Sequence, residues 1–277
     1  MDYLQITISI AEEYQEILIA ELFDMDFEGF EEQGDQLIAS VQAKQFDDTK
    51  REELEQILIR FGKNVHIVSE ELIQPQNWNQ KWEQSIQPQR IGKFYVRPTW
   101  APENTDDDLT EILIDPKMAF GTGYHATTRL ILEWIPEIIN DGDIVLDAGT
   151  GTGILSIAAI KCGAASAFGF DIDEWSKENA EENMELNEID SFEVELGSTE
   201  VIPEGSNYHV ILANINRNAL MSLIPELLTY AKEGCTILLS GLLEADEETI
   251  LGLDSIKSLT HLETRQQQEW IAMLFKL

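Results

Sequence analysis

The spacing of apolar residues in the first part of the chain predicts a small α+β domain. Strand-like alternation occurs at 3–10, 26–32, 36–42 and 64–72, and apolar residues recur at helical spacing in 11–24 and 49–62. Alternation with period two indicates half-buried strands, and a spacing of three or four indicates amphipathic helices. The resulting order, βαββαβ, is that of a ferredoxin-like sandwich. We therefore predict a ferredoxin-like N-terminal domain over residues 1–74.

From residue 111 onward, short apolar runs alternate with longer amphipathic segments. Strands are predicted near 111–115, 144–146, 167–170, 192–196, 208–213 and 236–240, helices at 129–139, 154–162, 174–187, 217–232 and 244–256, and a final strand pair near 258–264 and 268–276. Strands that alternate with helices favour a mostly parallel sheet, and the final pair predicts an antiparallel closing hairpin. The predicted fold class of residues 111–277 is α/β.

Residues 75–110 connect the two predicted domains. They contain Trp78, Trp82 and Trp100, three large side chains that are costly to leave in water. We therefore expect the connector to pack against the protein. Within it, the pattern predicts one helical turn at 78–82, a strand at 94–97 and an exposed acidic loop at 101–108.

The most unusual stretch lies between residues 143 and 173. An apolar run ends at Asp147, glycines follow at 149, 151 and 153, a helical segment comes next, and a second strand ends at Asp171. Glycine lets the backbone turn tightly and approach a ligand without a Cβ atom in the way. The helix start offers unpaired N–H groups, and an acid at the tip of the second strand can bind ribose hydroxyls. This βαβ unit predicts a site for a nucleoside-like cofactor.

The spacing of the three glycines narrows the identity of that cofactor. A dinucleotide fingerprint has the spacing G-x-G-x-x-G, whereas this turn has G-x-G-x-G preceded by Asp147. The pattern acid-x-G-x-G-x-G resembles the S-adenosylmethionine-dependent methyltransferases of Rossmann-like fold. The resemblance implies S-adenosylmethionine, which carries a carboxylate and an ammonium group but no pyrophosphate. It disfavours a nicotinamide dehydrogenase.

The net charge of the chain indicates which kinds of partner it can bind. It has 52 acidic against 18 basic residues and a formal charge of −34. Binding of nucleic acid depends on contacts between cations and phosphates, so we expect no direct nucleic-acid binding. A strong negative field attracts cationic partners and speeds their encounter. Solubility or a salty cytoplasm would explain the same composition, and composition alone favours that explanation.

The cysteines and the N-terminal sequence indicate the cellular compartment of the protein. Cys162 and Cys235 have no metal-ligand spacing and cannot form a disulfide scaffold, which favours a reducing compartment. The N-terminus lacks the basic start and apolar core of a signal peptide, and no apolar run approaches the ~20 residues that span a bilayer. We expect a cytoplasmic protein without a metal ion and without a membrane association.

Several longer motifs resemble one family of methyltransferases, those that modify ribosomal protein L11. They are NWNQKWEQSIQPQRIGKFYVRPTW at 77–100, IDPKMAFGTGYHATT at 114–128, VLDAGTGTGILSIAAIKCGA at 145–164, FDID at 170–173 and ILANI at 211–215. The loop from Phe120 to Thr128 is the most discriminating, because most other methyltransferases lack it. One departure is Ala126, where the family usually has proline. The N-terminal domain matches in predicted architecture rather than by motif.

The resemblance implies an activity and a set of contacts. Enzymes of this family transfer methyl groups from S-adenosylmethionine to lysine ε-amines and the N-terminal α-amine of ribosomal protein L11, and their N-terminal domain recognises that substrate. Carried across by motif, cofactor contacts fall on Thr128, Gly149, Asp171 and Asn214. No catalytic residue is identified. His125 is a candidate base or a residue that orders its loop, and a threonine at 127 or 128 could instead cap the following helix. We expect a monomer.

Alternative functions remain open at this point. A glutamine or adenine N-methyltransferase would show Asn-Pro-Pro-aromatic at the fourth strand tip, where this chain has Asn214-Ile215-Asn216. A non-catalytic ribosome-assembly factor could retain the cofactor pocket. An N-methyltransferase that acts on another protein or on a small molecule is also compatible with the sequence.

Overall fold

The structure is a computed structural model that describes residues 2–62, 64–73, 86–115, 117 and 119–277. The chain divides into two compact units, Met1–Trp78 and Asn79–Leu277. The domain limits at 74 and 110 that the sequence suggests stay a prediction. The helical turn expected at 78–82 lies outside the described residues.

The N-terminal unit is a four-stranded antiparallel sheet with two helices. Its elements are β1 (Tyr3–Ser9), α1 (Glu12–Phe23), β2 (Phe27–Gln33), β3 (Gln36–Gln42), α2 (Asp48–Phe61) and β4 (His66–Ile73). The strand order is β2-β3-β1-β4, and every neighbouring pair is antiparallel. Alternate strand residues such as Ile6, Ile8, Leu37 and Ala39 are fully buried in a core with the helices. This is the arrangement of a ferredoxin-like sandwich.

The second unit is organised around a seven-stranded mixed sheet. Its strands are β8 (Ile144–Ala148), β9 (Ser166–Asp171), β10 (Phe192–Leu196), β11 (Tyr208–Asn214), β12 (Ala231–Leu243), β13 (Thr260–Gln267) and β14 (Trp270–Lys276), in the order β10-β9-β8-β11-β12-β14-β13. Strands β8 to β12 pair in parallel, and β14 pairs antiparallel with both β12 and β13. The α/β fold class and the antiparallel closing hairpin are therefore confirmed.

Helices cover both faces of this sheet. They are α3 (Ala126–Ile138), α4 (Ile154–Lys161), α5 (Glu174–Leu186), α6 (Arg217–Leu227) and α7 (Glu247–Leu251). Alternate residues of β8 separate the two sides: Val145 packs in a core with α3, α4 and α5, whereas Leu146 packs in a core with α6 and α7. The strand order reverses direction between β8 and β11. In open α/β sheets such a switch point opens a crevice at the carboxyl ends of the strands.

A smaller sheet precedes the glycine turn. It consists of β5 (Gln89–Ile91), which the sequence pattern does not predict, β6 (Phe94–Arg97) and β7 (Thr110–Leu113). Apolar side chains of this sheet join the core around α3. The expectation that Trp100 is buried is wrong, because its side chain is 49% exposed. A single exposed aromatic residue is tolerated where a large contiguous patch is not.

Three helices differ from the predicted bounds by more than one residue. Helix α3 begins three residues before the predicted start, because His125 caps it. Helix α6 ends at Leu227 and a 3₁₀ turn follows, since the chain from Ala231 pairs with Tyr208 of β11. The predicted helix 244–256 is reduced to α7 with flanking 3₁₀ turns. Among the residues that the structure describes, no helix has the length and apolar character needed to cross a bilayer.

Candidate functional site

A cavity of about 560 Å³ opens at the carboxyl ends of β8, β9, β11 and β12, at the switch point of the sheet. Three of the four residues predicted to contact the cofactor line it, namely Gly149, Asp171 and Asn214. The fourth, Thr128, is fully buried and is not among the lining residues. The remaining wall is formed by Phe120, His125, Thr127, Gly151, Ile172, Asp173, Ser176, Ile215, Asn216, Ala219, Leu223, Gly241 and Trp270.

The glycine turn is compressed between two other segments. Gly149, Gly151 and Gly153 have φ values of 71°, 56° and 79°, in the left-handed region. A Cβ atom at Gly149 would lie 2.2 Å from Cγ2 of Ile215, and one at Gly151 would lie 2.2 Å from the carbonyl oxygen of Phe120. Both distances are far inside van der Waals contact. Only glycine therefore allows the turn to lie this close to its neighbours.

Asp171 stands at the tip of β9 with capacity left on both carboxylate oxygens. Its Oδ2 accepts a hydrogen bond from the N–H of Gly151 at 2.9 Å, and its Oδ1 accepts one from the N–H of Asp173 at 3.1 Å. An ionised carboxylate has about four acceptor positions, so each oxygen can accept another hydrogen bond from the cavity. The neighbouring Ile172 is 82% exposed and offers an apolar surface beside the carboxylate.

The side-chain oxygen of Asn214 has no hydrogen-bond partner among the described residues. Its Nδ2 donates to Oγ1 of the buried Thr128 at 3.3 Å, which fixes the orientation of the amide. Its Oδ1 is buried and makes no hydrogen bond with any described residue. Leaving a buried acceptor unpaired costs about 1–3 kcal/mol. The arrangement therefore suits a ligand that brings an N–H or O–H donor, with Thr128 acting behind Asn214.

His125 is the residue that caps helix α3. Its Nδ1 accepts from the N–H of Thr127 at 3.4 Å and lies 2.8 Å from the Thr127 hydroxyl oxygen. In the neutral ring Nδ1 is then the acceptor, so the proton resides on Nε2. The proposal that Thr127 or Thr128 caps the helix is wrong, because both lie within α3. The ring of His125 packs edge to face against Phe120 and Trp270.

Asp147 lies beneath the glycine turn and is completely buried. Its Oδ2 accepts hydrogen bonds from the hydroxyls of Thr150 at 2.7 Å and Ser156 at 2.8 Å. Its Oδ1 has no partner among the described residues. Burial disfavours the charged form and raises the pKa of Asp147 to about 6, from an ordinary value of 3.8. The carboxylate therefore links the turn to α4 through two hydrogen bonds, while burial of its charge lowers the stability of the fold.

Sequence reasoning did not single out several residues of the cavity wall, and two of them, Gly241 and Trp270, are the most distinctive. Gly241 interrupts β12 with a φ of 84°, and a Cβ atom there would lie 2.2 Å from the carbonyl oxygen of Ile215. A glycine inside a strand pattern indicates a close backbone approach, so this one could have been found. Trp270 begins β14, and nothing in its local sequence distinguishes it from a core aromatic residue.

The buried carboxylate predicts a pH-dependent stability. Between pH 3.8 and about 6 the folded chain holds a proton on Asp147 that the unfolded chain has lost, so stability falls as the pH rises through this window. Above it, the buried charge costs about 3 kcal/mol. We expect Asp147→Asn to raise the free energy of unfolding by up to that amount at pH about 7.5, and by roughly half of it at pH about 5.

Urea denaturation followed by tryptophan fluorescence measures this difference. The control is Asp190→Asn, which removes an exposed acid and is expected to change stability by less than about 0.5 kcal/mol at either pH. An Asp147→Asn protein that is less stable than the parent at pH about 7.5 would contradict the inferred cost of the buried charge.

Comparison with known proteins identifies the family. The model of the family Ribosomal protein L11 methyltransferase (PrmA) matches residues 2–277. A ribosomal protein L11 methyltransferase from Chlorobaculum parvum is 34% identical over 281 residues, which cover 99% of this chain and 96% of the relative. One from Porphyromonas gingivalis is 40% identical over 206 residues, which cover 73% of this chain and 71% of the relative.

A solved structure agrees with these relatives. The crystal structure of ribosomal protein L11 methylase from Lactobacillus delbrueckii subsp. bulgaricus matches with a TM-score of 0.64 at 29% sequence identity, and the match covers 69% of this chain and 98% of that chain. The resemblance read from the motifs is thereby confirmed. The chain belongs to the ribosomal protein L11 methyltransferase family.

Proposed function

We propose that this protein transfers methyl groups from S-adenosylmethionine to amino groups of ribosomal protein L11, namely lysine ε-amines and the N-terminal α-amine. The observation that carries the proposal is the family match over residues 2–277. The cavity at the switch point supports it, because the predicted cofactor residues Gly149, Asp171 and Asn214 meet there. We expect the reaction to occur in the cytoplasm.

The cavity wall suits the parts of S-adenosylmethionine. Asp171 is assigned to the ribose hydroxyls, because both of its oxygens retain acceptor capacity. The exposed Ile172 is assigned to the apolar face of adenine. Gly149 lets the main chain of the turn reach the ligand without a side chain between them. When bound, S-adenosylmethionine supplies a methyl group on a positively charged sulfonium, which is already activated for displacement.

The protein's own task is then to bring a neutral amine into line. A free lysine has a pKa near 10.4, so its amine is protonated in water at neutral pH. Transfer into an apolar passage lowers the pKa of an amine because burial disfavours the charged form. The rings of Phe120, His125 and Trp270 line one side of the cavity and supply such surroundings.

We assign two roles to Asn214: it contacts the cofactor, and it aligns the amine that receives the methyl group. Its free Oδ1 can accept one N–H of the amine, which turns the nitrogen lone pair toward the methyl group. Thr128 holds the amide in this orientation through Nδ2, so we assign Thr128 an effect through Asn214. Positioning of this kind accounts for a large share of the rate in displacements. We assign His125 to the order of its loop rather than to proton transfer, because its Nδ1 is engaged by Thr127.

The direct test is mass spectrometry of purified ribosomal protein L11 after incubation with the enzyme and S-adenosylmethionine. We expect whole methyl increments on lysine side chains and on the N-terminal amine, which require both enzyme and cofactor. Binding of the cofactor without any increment would identify a non-catalytic assembly factor. Transfer to other proteins or small molecules, but not to ribosomal protein L11, would identify a different N-methyltransferase.

The acidity of the chain predicts how the reaction responds to salt. A formal charge of −34 should steer a lysine-bearing, cationic substrate to the enzyme, and salt screens this attraction, with a Debye length of about 10 Å at 0.1 M. We expect kcat/KM for the protein substrate to fall as salt rises from about 0.05 to 0.5 M, while kcat stays nearly constant because transfer occurs after binding.

The control for this measurement is the affinity for S-adenosylmethionine over the same salt range, which should change less because the cofactor is small and carries little net charge. A constant kcat/KM would contradict steering, and the acidity would then serve solubility or a salty cytoplasm.

A further inference from the structure

Three buried asparagines lie on one face of α5, at intervals of four residues. Asn179, Asn183 and Asn187 are 1%, 0% and 9% exposed, and Asn187 immediately follows the end of the helix. Residues four apart in a helix lie one above the other. Polar side chains are rarely buried unless they are hydrogen-bonded, so the partners of this row of amides indicate what it is for.

The row of amides takes the place of a neighbouring strand for the chain at the end of β7. Asn187 accepts from the N–H of Leu113 at 3.0 Å and donates to its carbonyl oxygen at 2.7 Å. Asn183 accepts from the N–H of Asp115 at 2.9 Å, and Asn179 donates to the Asp115 carbonyl oxygen at 2.8 Å. Side chains of a helix thus satisfy main-chain groups that a sheet would otherwise satisfy.

Asn183 differs from the other two because it also reaches the glycine turn. Its Nδ2 donates to the carbonyl oxygen of Thr152 at 2.9 Å. Thr152 in turn binds the loop that precedes α3: its N–H donates to the carbonyl oxygen of Phe120 at 2.9 Å, and its hydroxyl donates to that of Gly121 at 2.7 Å. Asn183 is therefore bonded both to Asp115, just before this loop, and to the turn on which the loop rests.

We propose that Asn183 is a positioning residue for methyl transfer. It fixes the spacing between the glycine turn and the loop that carries Phe120 and His125, two adjacent segments that both contribute residues to the cavity wall. The inference rests on the proposed function, because it assigns the turn to the cofactor and the loop to the surroundings of the amine. Asn183 is not part of the cavity wall, and it acts through its hydrogen bond to Thr152.

Asn187 provides a matched control for the packing role that any buried asparagine has. It lies on the same helix face, is also buried, and makes two hydrogen bonds to the end of β7, yet it does not contact Thr152. Replacement of Asn183 by alanine leaves two main-chain groups without their side-chain partner. Replacement of Asn187 leaves three, but one of them, the carbonyl oxygen of Asn183, still accepts from the main-chain N–H of residue 187. Both variants should therefore lose thermal stability to a comparable extent, and only one of them should alter the cavity.

The experiment compares Asn183→Ala with Asn187→Ala in the full chain by calorimetric titration with S-adenosylmethionine. We expect Kd to rise at least about tenfold for Asn183→Ala, and less than about twofold for Asn187→Ala, with a similar fall in Tm. Equal affinities in the two variants would overturn the proposal. A parent protein that does not bind the cofactor would instead refute the proposed function.

A second pair of variants tests the hydrogen bond between Thr152 and the loop. This pair can be measured even if Asn183→Ala does not fold. Thr152→Val removes the hydroxyl that holds Gly121, whereas Thr152→Ser keeps it. We expect Thr152→Val to lower kcat about tenfold with the KM for ribosomal protein L11 within about twofold, and Thr152→Ser to restore kcat. Equal kcat values for the two variants would overturn the proposal.

Discussion

The site depends on the close approach of one glycine turn to two other segments of the chain. Added Cβ atoms at Gly149 and Gly151 would each lie 2.2 Å from a neighbouring atom, the first on Ile215 and the second on Phe120. The absence of a Cβ atom at these two glycines lets the tips of β8 and β11 and the loop before α3 pack directly against one another. Without these glycines the segments that line the cavity would lie farther apart, and the side chains on them would not converge.

This close packing places two residues with unused acceptor capacity, Asp171 and Asn214, in the cavity wall. Asp171 receives the N–H of Gly151 and keeps capacity on both oxygens. Asn214 is held by Thr128 and keeps its Oδ1. In the proposed function these are the groups that orient the ribose and the amine. The chemistry asked of the protein is placement in apolar surroundings, because the methyl group is already activated when the cofactor is bound.

Much of this arrangement could be predicted from sequence, because the decisive residues form local patterns. The alternation of strands and helices predicts the α/β sheet, and Asp147 with the three following glycines predicts the turn. Residues that act across long sequence separations could not be found in this way. The family resemblance names Thr128, but not its hydrogen bond with Asn214, and the asparagines of α5 bind a strand end more than 60 residues away. Such pairings are set by tertiary packing, which a single sequence does not display.

The central claim is that the cavity beside the glycine turn binds S-adenosylmethionine through Asp171. Calorimetric titration of the parent protein and of Asp171→Asn tests it directly, with Glu178→Gln, an exposed acid of α5, as the control. A charged hydrogen bond contributes about 1.5–3 kcal/mol, so Kd should rise roughly 10- to 100-fold for Asp171→Asn and stay unchanged for the control. Parent-like affinity in Asp171→Asn would contradict the account.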